Sequence, residues 1–80
     1  MNLKPIATEK AVMMIEALNI LAFEVPRNVN KNEIKKEVEE TLEIKVEAVR
    51  TQIRNGKKIA YVKLNKKNLA IDVATKIGLM

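Results

Sequence analysis

Cysteine, histidine and tryptophan are absent from this chain of 80 residues. Without thiols there is no disulfide scaffold and no thiolate metal site. Without imidazole, His-based acid–base catalysis and the common zinc constellations are excluded. Two glycines in all cannot build a Gly-rich loop that cradles phosphates. Paired hydrolytic carboxylates and Ser/His/Asp sets do not stand out either. The chain is therefore expected to be no enzyme and to carry no cofactor, metal or small-molecule substrate. Long apolar runs are also missing. Ala11 to Phe23 is the longest, is interrupted by Glu16 and Asn19, and is too short to span a bilayer. No signal-peptide pattern is visible, so a soluble, cytoplasmic protein without membrane insertion is expected.

Aromatics are nearly absent, with Phe23 and Tyr61 alone. Readers of single-stranded sequence stack bases on several rings. Phe23 fits a core position. Tyr61 is open between two roles, its hydroxyl reaching a phosphate or its ring covering a sheet.

Acid is scarce in one part of the chain, and there the composition becomes informative. Residues 1–49 carry 7 Lys/Arg against 9 Glu, whereas residues 50–80 carry 8 Lys/Arg against Asp72 alone. The net +5 and pI of about 9.6 thus conceal a segregated field. Arg50, Arg54, Lys57, Lys58, Lys63, Lys66 and Lys67 crowd around the turn Asn55-Gly56. A one-sided positive field suits a phosphate backbone. The plainer alternative is edge protection, since Lys on an exposed strand blocks aggregation.

Eighty residues make one small domain, 1–80, with 48% hydrophobic residues for a core. Thr8 reads as an N-cap before a helix over 9–18, with Glu9 near the positive end of its dipole. Ile20 to Val25 alternates as a strand, with Leu21, Phe23 and Val25 on one face, and its mostly apolar pattern suggests a central position. Asn30 and Glu33 form a capping box, and Ile34, Val38 and Leu42 make the buried stripe that follows. An acidic helix, Glu33 to Glu47, is expected to turn its wet side away from RNA. Strands Val46–Arg54 and Lys57–Leu64 flank Asn55-Gly56, a turn suited to positive φ at both positions. A last helix is expected over about 68–77, stopped by Gly78. A short strand near Leu3 to Ile6 is also expected.

The fold class is α+β. It is a three- to four-stranded antiparallel sheet with a split βαβ and helices packed on it, placing Lys57–Leu64 between the Ile20 and Val46 strands. On the Val46 strand, Arg50, Gln52 and Arg54 share a face, with Thr51 and Ile53 opposite. Thr51, Asn55 and the open turn amides could add neutral phosphate contacts. Backbone and shape recognition of folded RNA is expected, with little base stacking.

Four segments in register resemble the L-twenty-three family of large-subunit ribosomal proteins. They are Pro5-Ile6-Ala7-Thr8-Glu9-Lys10-Ala11; Phe23-Glu24-Val25 with Asn30-Lys31-Asn32-Glu33-Ile34-Lys35; Val46-Glu47-Ala48-Val49-Arg50-Thr51; and Lys58-Ile59-Ala60-Tyr61-Val62-Lys63-Leu64. The end, Ala74 to Gly78, is similar to the archaeal branch. The resemblance implies binding to large-subunit rRNA near the peptide exit tunnel, neighbouring ribosomal proteins as partners, and no catalysis. It also implies a docking platform for nascent-chain factors: the signal recognition particle generally, trigger factor in bacteria. Thr8, Lys10, Asn30, Lys31, Lys35, Thr51 and Lys58 are the rRNA-contact candidates within its motifs. Arg50, Arg54, Asn55, Lys57, Tyr61, Lys63, Lys66 and Lys67 join them from the basic hairpin and its surroundings. Glu9 matches the factor-docking position, against the simpler role of compensating the helix dipole. Arg50 stands where the family usually has Asn, Val29 where Ala is common, and Ile59 where a second Lys is usual. The tight hairpin lacks the long bacterial extension that enters the tunnel. A free-standing RNA-recognition-like domain is the alternative, and it needs exposed aromatics on the central strands.

Overall fold

The structure, a computed structural model, describes residues 4–77. Helix α1, Glu9–Leu18, begins where the Ala11 amide donates to Thr8 Oγ1 at 3.2 Å, as an N-cap should. It ends at Asn19 in the left-handed region, φ 59°. Helix α2, Lys31–Leu42, begins where the Glu33 amide donates to Asn30 Oδ1 at 2.9 Å. The return half of that box differs from expectation, because Glu33 Oε1 accepts from the Asn30 side-chain amide at 3.2 Å instead of its backbone N–H. Glu43 terminates α2 with φ 53°, so the acidic helix is shorter than expected and Glu47 belongs to a strand.

The strands are β1 (Lys4–Pro5), β2 (Ile20–Val25), β3 (Val46–Arg54) and β4 (Lys57–Leu64). They form one antiparallel sheet in the order β1-β2-β4-β3. β4 lies between β2 and β3, the split βαβ arrangement. Asn55 and Gly56 both have positive φ, 52° and 75°, the type I′ signature that matches strand twist. The β3–β4 register slips between Val46 and Ala48, a bulge that nothing in the local composition announces. At its start, the Val46 amide donates to Glu39 Oε2 at 3.1 Å, tying the strand to α2.

Register assigns the two faces of the sheet. Leu21 aligns with Val62 and Val49, and Phe23 with Ala60 and Thr51. This face is the covered one. Leu21, Phe23, Val25, Ala60, Val62 and Leu64 meet Ile34 and Val38 of α2 and Ala70, Val73 and Ala74 of helix α3 (Ala70–Lys76) in one buried cluster. Helix α1 buries Ala11 and Ile15 and stands against β2 and α3. Its other side borders the open face, where Ala22 of β2 is also buried.

Helix α3 is shorter than the expected 68–77, and the cause is a long-range cap. Asn19 Oδ1 accepts from the Ala70 amide at 2.6 Å, and the same side chain's amide donates to the carbonyls of Leu64, Asn65 and Asn68 at 3.3, 3.4 and 3.0 Å. One residue at the end of α1 thus starts α3 and holds the turn before it. Gly78, the expected stop, lies outside the described residues, as does Leu3 of the expected first strand.

Candidate nucleic-acid interface

The side chains of Arg50, Gln52 and Arg54 alternate onto the open face of β3. Register sets Arg50 beside Tyr61 and Arg54 beside Lys57 across the β3–β4 ladder. Lys63 follows Tyr61 at the next position on the same face of β4. Antiparallel pairing therefore brings four cations, an amide and an aromatic ring onto one surface. Helix α2, which carries Glu33, Glu37, Glu39 and Glu40 beside Lys31, Lys35 and Lys36, packs on the opposite face. Four of the eight cations of residues 50–80 thus share one face.

Two cations on this face are loosely compensated. Lys57 Nζ lies 3.9 Å from Glu24 Oε1, and Lys63 Nζ lies 4.0 Å from Glu47 Oε1. Both pairs are solvent-accessible, with Lys57 67% exposed, and such pairs contribute little stability.

Lys58 has a different position. Its side chain falls on the covered face, in register with Val25 and Ile53. Its ammonium donates to the backbone carbonyls of Val29 and, at 3.4 Å, Arg27. It thus ties the hairpin to the loop that leads into α2. Strand alternation carried that signal, since Ala60, Val62 and Leu64 point inward and position 58 must follow them. Thr51 shares the covered face and is half-buried.

The other candidates are dispersed. Lys10 projects from α1 beside the open face. Thr8 is exposed, and its oxygen serves the α1 cap. Asn30, Lys31 and Lys35 are exposed on or next to α2, in the layer behind the sheet. Asn55 forms the hairpin turn. Lys66 and Lys67 are exposed in the turn after β4, where the Lys67 amide donates to Asn65 Oδ1 at 3.0 Å. Glu9 is exposed in the first turn of α1. The residue that sequence reasoning missed is Asn19, whose four bonds set the backbone carrying Lys66 and Lys67. No local pattern points from it to partners 45–51 positions away.

Among the described residues, no helix is long and apolar enough to cross a membrane. A family model described as "Ribosomal protein L23" matches residues 1–71. The chain is 44% identical over 77 residues to the "Large ribosomal subunit protein uL23" of Methanothermobacter thermautotrophicus, covering 95% of this chain and 90% of that one. The protein of the same name from Caldivirga maquilingensis is 46% identical, with 94% and 88% covered. That of Cyberlindnera jadinii is 47% identical over 92% of this chain, which spans 53% of that protein. With the four motifs in register and identity sustained over nearly the whole chain, this chain belongs to the ribosomal protein L23 family.

Proposed function

We propose that the open sheet face binds large-subunit rRNA through its phosphates, close to the peptide exit tunnel. Family membership carries the coarser part of this reading: a structural, non-enzymatic protein of the large ribosomal subunit in the cytoplasmic ribosome, with rRNA and ribosomal proteins as partners. The single observation supporting the finer part is the shared face of Arg50, Arg54, Lys57 and Lys63, on the side of the sheet away from helix α2. Cations gathered on one surface release condensed counterions when they meet an RNA backbone. Lys10 extends the same field from α1, and Lys66 and Lys67 are proposed as separate contacts in the turn after β4.

The solvent-facing remainder is the docking platform for nascent-chain factors such as the signal recognition particle. Glu9, exposed in the first turn of α1, is the side chain proposed to take part. That portion rests on the family resemblance.

The rRNA reading is tested by changing Arg50, Arg54 and Lys57 to Glu together and titrating large-subunit rRNA fragments across a salt series. Affinity should fall, and the slope of log affinity against log salt should flatten by roughly 0.7–1 for each phosphate no longer neutralised. Wild-type affinity and slope in the triple variant would sink the assignment of this face.

A further inference from the structure

The open face is not uniformly charged. At its centre lies an apolar trough beside the chain's one tyrosine. Tyr61 is half-buried on β4, between Ala22 of β2 and Arg50 of β3 in register. Alanine on one side leaves the ring flank open. Helix α1 forms the far wall, and Met14 and Leu18 line it with Ile20 at the base. The resulting groove has a volume of about 450 Å³. A smaller recess of about 100 Å³ continues along the ring past Ala22 and Ile59 toward Thr8 and Arg54. Tyr61 and Lys10 border both hollows, and no carboxylate lines either.

Each part of this trough has a counterpart in one chemical species. An aromatic ring with a clear flank accepts a flat π-system. Leu18, 54% exposed, and Met14 supply apolar contact on its far side. Gln52 offers both a donor and an acceptor to a polar base edge. Lys10 and Arg50 stand at the rim, where a phosphate on either side of the base would run. An apolar peptide would leave these cations unmatched, and a paired RNA helix would present no free π-face to the ring.

We propose that the trough between α1 and Tyr61 is a slot for a single unpaired nucleotide of RNA, its base stacked on the Tyr61 ring and its flanking phosphates held by Lys10 and Arg50. This goes beyond the backbone contact expected from the sequence, and it rests on the open face being the RNA-binding face. One ring sets the capacity at one base. The protein therefore recognises a bulge or flipped-out position within folded RNA, and not a single strand of several bases.

The test uses the full chain and two synthetic RNA duplexes of the same sequence, one fully paired and one with a single-nucleotide bulge at its centre. Because the chain has one tyrosine and no tryptophan, its intrinsic emission reports on Tyr61 directly. The wild type should bind the bulged duplex about tenfold more tightly, in line with the stacking of one base on an aromatic side chain. Emission should be quenched by the bulged duplex and little changed by the paired one, after correction for absorbance. Tyr61→Phe should keep the preference and Tyr61→Leu should abolish it, with the salt slope unaltered in both. Equal wild-type binding of the two duplexes, a steep salt slope and unquenched emission would overturn the slot and leave the backbone reading standing. A preference that survives Tyr61→Leu would also overturn it. If the wild type showed no salt-dependent binding to either RNA, both readings would fall. The emission measurement requires no variant, so it decides the matter even if Tyr61→Leu fails to fold.

Discussion

Lys57 and Lys58 are neighbours of the same type on one strand, yet they belong to different regions of the molecule. Lys57 stands on the open face, mostly exposed and loosely paired with Glu24. Lys58 points into the covered face and donates to the carbonyls of Arg27 and Val29. The same charge acts outward in one case and inward in the other. Pleating alone makes that division. A side chain's contribution is thus set by which face receives it, and a tally of basic residues cannot supply that information. The covered face carries the buried core, and the open face is where the cations gather.

The sharpest way to break this comparison is to damage the covered face and ask whether the open one suffers independently. Leu21 is fully buried. Leu21→Ala should cost about 2–5 kcal/mol in urea unfolding, with the salt slope of RNA binding unchanged under conditions where the variant stays folded. A flattened slope would mean that the two faces are not separable.

Asn19 supplies the next largest effect, because it couples α1 to the turn holding Lys66 and Lys67. Asn19→Gly keeps the left-handed backbone but removes the side chain, and should cost about 1–3 kcal/mol. Asn19→Ala adds the strain of positive φ, roughly 1 kcal/mol more. Chemical unfolding of the pair measures both contributions. Equal stability of the two variants would show that backbone handedness contributes nothing there.

The smallest effects sharpen the comparison directly. Lys58→Met should lower stability by about 1–2 kcal/mol, because the carbonyls of Arg27 and Val29 are left without their ammonium donor, and should leave the salt slope near its wild-type value. Lys57→Met should change stability by no more than about 0.5 kcal/mol and reduce the slope by about 0.7–1. Swapped outcomes would reverse the assignment of the two faces.

Local signals account for most of the fold that is legible in the sequence. Thr8 and Asn30 mark helix starts because their side chains bond amides three positions on. Asn55-Gly56 marks the hairpin because both residues tolerate positive φ. Alternation along β2 and β4 separates the faces, and with them the grouping of Arg50, Gln52 and Arg54. What escapes a sequence reading is non-local. Asn19 looks like an ordinary polar residue after a helix, since its partners arrive from the other end of the chain. The shortened α3 is a consequence of the same bonds. The trough is also illegible, because its walls come from α1, β2, β3 and β4 together. A lone Tyr61 speaks against base stacking only where several rings are required, and a one-base slot requires one. The bulge at Val46 and Ala48 has no compositional mark.

The strand order carries a consequence for synthesis. Among the described residues β4 comes last of the strands in chain order, yet it is the one that pairs with both β2 and β3. While the chain is still growing, β3 has no neighbour in the sheet, and β2 has only the two-residue β1. The sheet's central pairings therefore all wait for residues 57–64. A chain interrupted before that point would lack the strand that joins β2 to β3, and would expose its apolar segments to the cell's proteases.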